Sequence, residues 1–289
     1  MIFSLSRHDE QGGLNCFSIA KEFAKNNRVI FIDHPYTIKD FVLNDIKGDV
    51  RWRLKHFIPF RCGISKYRGD EASLYILSLP PVIPINYLEP GGLYNALQGI
   101  NTTIIGKRIA GAIKKLSLKN IIYINAFNFY YPDLKKYIKP SLYIYYCIDI
   151  MIKPYSLRHG PRLENQLLKE VDVVITTAPK LQQAKKVINP NSYLVTNAAD
   201  FNLSSKALSP STSVASELKE FPKPIIGYLG SIERRIDYIL IGSVARKNKE
   251  WTFVLVGPLE CKYIPDELFT IPNIIFIKQQ PYHVKLHEN

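Results

Sequence analysis

The stretch that most constrains the fold is residues 224–258, PIIGYLGSIERRIDYILIGSVARKNKEWTFVLVGP. Ile225, Ile226, Tyr228 and Leu229 form a short apolar run that stops at Gly230. Residues 231–235 read as a polar turn, and residues 236–246 carry apolar side chains at helical spacing. A second apolar run, 251–256, stops at Gly257-Pro258. Apolar runs bounded by turn residues and joined through a helix specify parallel strands covered on both faces. Ligands of such sheets lie beyond the carboxyl ends of the strands, which places Gly230 at a binding edge. Backbone N–H groups at the following helix start, with Arg234 and Arg235 as counter-charges, suit a phosphate there.

The amino-terminus repeats the pattern. Residues 1–5 read as a strand, 6–13 as a loop, 14–26 as a helix and 28–33 as a second strand. The pair Gly12-Gly13 before the helix permits close approach of backbone to an anion, or is a tight turn with no ligand. The same loop carries Arg7, His8, Asp9 and Glu10. His8 has no partner placed by the sequence and reads as a surface histidine rather than a catalyst.

A chain of 289 residues is long enough for two domains, at roughly 100–200 residues each. With 46% apolar and 22% charged residues it is globular, and its net charge of +13 favours an acidic partner or simply a soluble basic surface. Cys16, Cys62, Cys147 and Cys261 are scattered without metal-ligand spacing and read as reduced structural residues. No signal segment or long apolar span appears, so a cytoplasmic protein is expected.

Between the two βαβ patterns the chain alternates strand and helix. Strands are expected at 74–79, 120–124, 141–148, 171–176 and 192–196. Helices are expected at 93–116, in two pieces broken at Gly99 and Asn101, and at 161–169 and 180–187. Asp149, in YYCIDIM, lies at the end of a strand, where it can hold a sugar hydroxyl, act as base, or cap the next segment. In residues 51–68, Arg51, Arg53, Lys55, His56, Arg61, Lys66 and Arg68 interleave with Trp52, Phe57, Ile58, Phe60 and Tyr67. This reads as a membrane-facing surface in preference to a nucleic-acid site, with an ordinary solvated face equally open. The Ser-, Pro- and Thr-rich residues 204–222 have linker composition, giving domains at 1–203 and 223–289.

The pattern GYLGSIERRIDYILI…WTFVLVGP resembles the opening of the C-terminal lobe of GT-B glycosyltransferases. The nearest resemblance is to the group-1 branch that builds bacterial surface polysaccharides, including teichuronic-acid-type transferases. Gly227, Tyr228, Gly230, Arg235, Asp237, Gly257 and Pro258 carry it, and DVVITTAPKL…YLVTNAADF matches the end of the family's N-terminal lobe. Two positions depart: Ile150 stands where a second acidic residue usually follows Asp149, and Ala198 replaces a glycine between the lobes.

The resemblance implies an α/β chain of two Rossmann-like lobes with parallel sheets. The N-terminal lobe would bind the acceptor and the second, incomplete lobe the nucleotide-sugar. Only three strands are expected after the linker, against roughly six in a full doubly wound lobe. The implied reaction moves a sugar from a nucleotide-sugar donor to a polysaccharide or lipid-linked acceptor in cell-envelope glycan synthesis. Gly12, Gly13, Gly230, Arg234 and Arg235 are the phosphate candidates, and Asp149 the catalytic candidate on the sugar or acceptor side. No cofactor or metal is implied, since the nucleotide-sugar is itself a substrate and no Asp-x-Asp pair occurs. Peripheral contact with anionic membrane is compatible with this reading, and no nucleic-acid partner is expected. The alternative is a truncated, inactive glycosyltransferase-like binding protein at the membrane surface. An NAD enzyme is disfavoured because no G-x-G-x-x-G follows either first strand.

Overall fold

The computed structural model describes residues 1–9, 14–43, 63–69, 73–152, 154–198 and 201–277. The chain divides into two compact units, Met1–Asn197 and Ala198–Asn289.

In the first unit the strands are β1 (Ile2–Ser4), β2 (Val29–Ile32), β3 (Ile64–Lys66), β4 (Leu74–Leu77), β5 (Ile122–Ala126), β6 (Leu142–Cys147), β7 (Val173–Thr176) and β8 (Ser192–Leu194). Its helices are α1 (Leu14–Ala24), α2 (Ile38–Leu43), α3 (Gly92–Lys115), α4 (Lys135–Ile138), α5 (Pro154–Glu170) and α6 (Pro179–Lys186). The sheet order is β3-β4-β2-β1-β5-β6-β7-β8. Every pairing is parallel except β3 with β4.

Alternation along the strands divides the core in two. Phe3, Ile30, Ile32, Tyr123, Tyr143 and Tyr145 pack on one face with Ile105 and Ile109 of α3 and Leu163 and Leu167 of α5. Ile2, Val29, Phe31, Leu74 and Ile76 pack on the other with Cys16, Phe17, Ala20 and Ala24 of α1. Burial on both sides explains why these strands are almost wholly apolar.

Helix α3 is continuous, contrary to the break expected at Gly99 and Asn101. An asparagine in mid-helix is unfavourable when its amide competes for neighbouring backbone groups. Here the Asn101 side chain is satisfied elsewhere: Oδ1 accepts from the Ile83 N–H at 2.9 Å, and Nδ2 donates to the Ile83 carbonyl at 2.9 Å. Seven residues beyond Gly99, the glycine that packing does require is Gly106. A Cβ there would lie 2.2 Å from Cδ2 of the Tyr137 ring.

Helix α5 begins at Pro154, seven residues before the expected start, and carries Pro161 in its interior. Its first turns are tied down by side chains: Ser156 Oγ meets the Tyr130 hydroxyl at 3.2 Å, and His159 Nε2–H donates to the Leu88 carbonyl at 2.9 Å. These contacts hold a helical turn that Pro161 taken as a helix start does not reveal. The strand expected at 120–124 runs two residues later because Asn120 adopts φ 52°, a left-handed conformation outside the strand region.

The second unit contains α7 (Phe201–Ser204), β9 (Ile225–Leu229), α8 (Tyr238–Lys247), β10 (Thr252–Val256) and β11 (Ile274–Ile277). Its three described strands are parallel in the order β11-β10-β9. Phe253, Leu255, Tyr238, Ala245 and Ile274 share its core. Helix α8 starts two residues later than expected because Asp237 caps it: its Oδ1 accepts from the Leu240 N–H at 2.9 Å. Among the described residues, no helix is long and apolar enough to cross a membrane.

Replacing Gly106 with alanine forces the Tyr137 ring or the α3 backbone to move. It is expected to destabilise the first unit by about 1–3 kcal/mol, read from the urea-unfolding midpoint. An unchanged midpoint would show that the ring is not seated against the helix.

Candidate active site

The carboxyl ends of β1, β2, β5 and β6 form one edge of the first sheet, and the polar side chains of this unit converge there. Asp33 follows β2 and is 1% exposed. A buried carboxylate needs compensating donors. The loop after β1 supplies them: the His8 backbone N–H donates to Asp33 Oδ1 at 2.9 Å, and His8 Nδ1 lies 3.0 Å from both carboxylate oxygens. The loop is closed on itself by Ser4 and Ser6, whose hydroxyl oxygens lie 3.0 Å apart, with the Ser6 N–H donating to Ser4 Oγ. The His8 side chain is 14% exposed, and its ring sits 5.8 Å from that of Phe17 on α1.

This corrects the reading of His8 as an unpartnered surface residue. An imidazole whose Nδ1–H is held by a carboxylate has its tautomer fixed, leaving Nε2 as the nitrogen that can accept a proton. The pair was missed because its members are 25 residues apart. Each nevertheless stands just past the carboxyl end of a strand, and that shared position was the available signal.

Two further groups flank it. Arg7 lies over the Tyr36 ring at 3.9 Å from its centroid, a cation–π contact that neutral residues could not make. Past β5, Phe127 takes φ 58°, and the Asn125 side chain closes this turn by accepting from the Asn128 N–H at 2.9 Å and donating to the Asn128 carbonyl at 3.1 Å. Asn128 Nδ2 then donates to the Ser4 carbonyl at 3.0 Å and to His34 Nδ1 at 3.2 Å. His34 therefore carries its proton on Nε2. Burial, then the nearby Arg7, push its pKa down to about 3, so it is neutral at pH 7 although part of its surface is accessible.

Asp149 lies two residues past β6 and is exposed, with Oδ1 accepting from the Ile150 N–H at 2.8 Å. Between β2 and β6 stand β1 and β5, so three strand spacings, about 14 Å, separate Asp33 from the line of Asp149. Asp149 therefore stands apart from the His8–Asp33 pair along the sheet edge. Gly12 and Gly13, the residue pair expected to approach an anion, lie outside the described residues, as does most of the basic and aromatic stretch 51–68. Of that stretch, Tyr67 is described and packs edge-on against Phe17 at 5.2 Å.

In the second unit, Gly230 follows β9, and its N–H donates to the Val256 carbonyl at 3.0 Å. Gly257 has φ 154°, and a Cβ on it would lie 1.9 Å from the Gly230 carbonyl oxygen. The ends of β9 and β10 thus close on each other, which is a packing reason for Gly257, whereas a Cβ on Gly230 would meet only the end of the Tyr228 side chain. Arg234 and Arg235 are exposed in the next turn, where Arg235 Nε pairs with Glu233. The first turn of α8 is already capped by Asp237. Among the described residues no three His, Cys, Asp or Glu side chains cluster to hold a metal ion.

No protein-family model matches the chain, and no curated protein matches it in sequence. Solved structures do match. The N-terminal domain of Candida albicans trehalose-6-phosphate phosphatase aligns with a TM-score of 0.62 at 10% identity, covering 98% of this chain and 73% of that one. The Anabaena HepE protein, solved in complex with UDP and glucose, aligns at 0.58 with 13% identity, covering 96% and 69%. Sucrose-phosphate synthase from Thermosynechococcus elongatus aligns at 0.57 with 12% identity, covering 96% and 70%. The fold is therefore α/β and GT-B-like, with Rossmann-like parallel sheets.

Asp33→Asn replaces an acceptor pair with a group that also donates. Imidazole nitrogen NMR is expected to show the Nδ1–H tautomer for neutral His8 in the wild type and a shift toward Nε2–H in the variant. An Nε2–H tautomer in the wild type would contradict the assignment.

Proposed function

We propose that this chain is a glycosyltransferase that moves a sugar from a UDP-linked donor to a hydroxyl of a glycan or lipid-linked acceptor, in the assembly of cell-envelope polysaccharide. The observation that carries the proposal is the His8–Asp33 pair at the carboxyl edge of a parallel sheet in a GT-B-like fold. The solved HepE complex with UDP and glucose supports the choice of donor class.

The pair suits the proton movement that glycosyl transfer needs. An acceptor hydroxyl is a poor nucleophile until its proton has somewhere to go. His8 Nε2 takes that proton as the acceptor oxygen bonds to the anomeric carbon. The bond from that carbon to the phosphate oxygen breaks, and its electron pair leaves with the diphosphate. Buried Asp33 steadies the imidazolium that forms, as a carboxylate does for any imidazole held at Nδ1. Asp149, too far along the edge to share that proton, is assigned to holding a hydroxyl of the sugar or acceptor. Of the phosphate candidates, Gly230, Arg234 and Arg235 are assigned to the diphosphate, where amides and guanidinium groups stabilise developing charge. In that role Arg235 shares its charge between Glu233 and the ligand.

The test is UDP release from a set of UDP-hexoses, with and without glycan acceptors. The wild type is expected to release UDP, and His8→Ala to lower kcat by about 10²–10⁴ while leaving UDP affinity unchanged. UDP binding without any turnover would overturn the enzyme reading and favour a binding protein. Turnover unaffected by His8→Ala would overturn the role given to the pair.

A further inference from the structure

On the α3 side of the first sheet, next to the end of β2, lies a cavity of about 40 Å³. His34, Tyr94, Gln98, Asn101, Tyr130 and Tyr131 are among its walls. Most of its polar groups are engaged within the fold. Gln98 Nε2 donates to the Tyr130 carbonyl at 2.7 Å, the Asn101 amide is held by Ile83, and the Tyr130 hydroxyl meets Ser156.

Two hydroxyls are not engaged. Tyr94 and Tyr131 are 1% and 6% exposed, yet neither hydroxyl has a hydrogen-bond partner among the described residues. Neither belongs to the sealed, unpartnered atoms of the interior, so each keeps some accessible surface. Both residues line the cavity. Buried phenols almost always find a partner, and leaving one unpaired costs stability. His34 adds a third donor, because Asn128 occupies its Nδ1 and leaves Nε2–H on the cavity side of the ring.

The size of the cavity limits its guest. Against the roughly 10–15 Å³ that holds one water, the space takes a few waters or a small substituent of a ligand. Donors that can also accept, set among tyrosine rings, match a hydroxyl.

We propose that this cavity is a socket for one uncharged hydroxyl or hydroxymethyl group of a carbohydrate acceptor, bonded by the hydroxyls of Tyr94 and Tyr131 and by His34 Nε2–H. The proposal rests on the transferase reading for the identity of the guest. It assigns the socket to the same strand end as the reacting pair, since His34 and Asp33 are consecutive. Their side chains leave the strand end on opposite faces, so an acceptor anchored at His34 has to reach across that end to meet the pair.

The test uses the full chain without any donor. Methyl hexopyranosides of the gluco, galacto and manno series, and their singly deoxygenated analogues, are titrated against wild type and against the Tyr94→Phe/Tyr131→Phe double variant by saturation-transfer NMR. At least one glycoside is expected to bind the wild type, with removal of one particular hydroxyl weakening it about tenfold. The double variant is expected to bind the parent glycoside as weakly as the deoxygenated one and to lose the discrimination. Its melting temperature should equal or exceed the wild-type value, because the deleted hydroxyls bond nothing in the protein. No binding by any glycoside, or discrimination retained in the double variant, overturns the socket and leaves the cavity to water. Donor turnover is read separately: glycoside binding through Tyr94 and Tyr131 in a chain that never releases UDP would overturn the transfer reading while sustaining the socket.

Discussion

Strand β1 pairs in parallel with β2 on one side and β5 on the other, with Ile2 opposite both Phe31 and Ile124. That double register is the constraint from which the chemistry of the first unit descends. Parallel strands must be covered on both faces, so their side chains are given over to the core and only the ends are left for polar work. Asp33, His34, Asn125 and Asn128 all stand at or just past such ends. The loop after β1 is pulled across the end of β2 by His8, whose backbone and ring both bond the Asp33 carboxylate. A carboxylate this well buried is tolerable only with those donors in place. The contact that shapes the loop is therefore also the contact that orients the imidazole.

The second unit uses its strand ends differently. Gly230 and Gly257 bring the backbones of β9 and β10 together more closely than any Cβ would allow at Gly257. The helix that follows is capped by its own Asp237. Gly257 has a structural reason to be glycine, whereas no backbone clash requires one at Gly230, to which the phosphate role is assigned. Arg234 and Arg235 stand in the turn between, exposed and close to Glu233 in sequence and, for Arg235, in contact.

Much of this was legible from the order of residues because local signals and fold agree. Apolar runs ending at Gly230, Gly257 and Asp149 are strands, and their ends are where a parallel sheet keeps its ligands. Other features were hidden because they depend on residues far apart in the chain. His8 gains its meaning from Asp33, and His34 from Asn128, 94 residues away. Asn101 looked like a helix break because its partner, Ile83, belongs to a segment with no pattern of its own. Pro161 looked like a helix start because the contacts holding residues 154–160 come from Tyr130 and Leu88. Gly106 carried no local signal at all, since only the Tyr137 ring shows why a side chain is excluded.

If His8, held by Asp33, deprotonates the acceptor as its oxygen attacks from the face opposite the departing diphosphate, the displacement is direct. The stereochemistry at the anomeric carbon reports this with no assumption about which hydroxyl accepts, water included. The most direct measurement is therefore proton NMR of the product formed early from a UDP-hexose that the chain turns over. Inversion of the anomeric configuration is the predicted result. Retention would contradict the direct displacement assigned to His8 and Asp33.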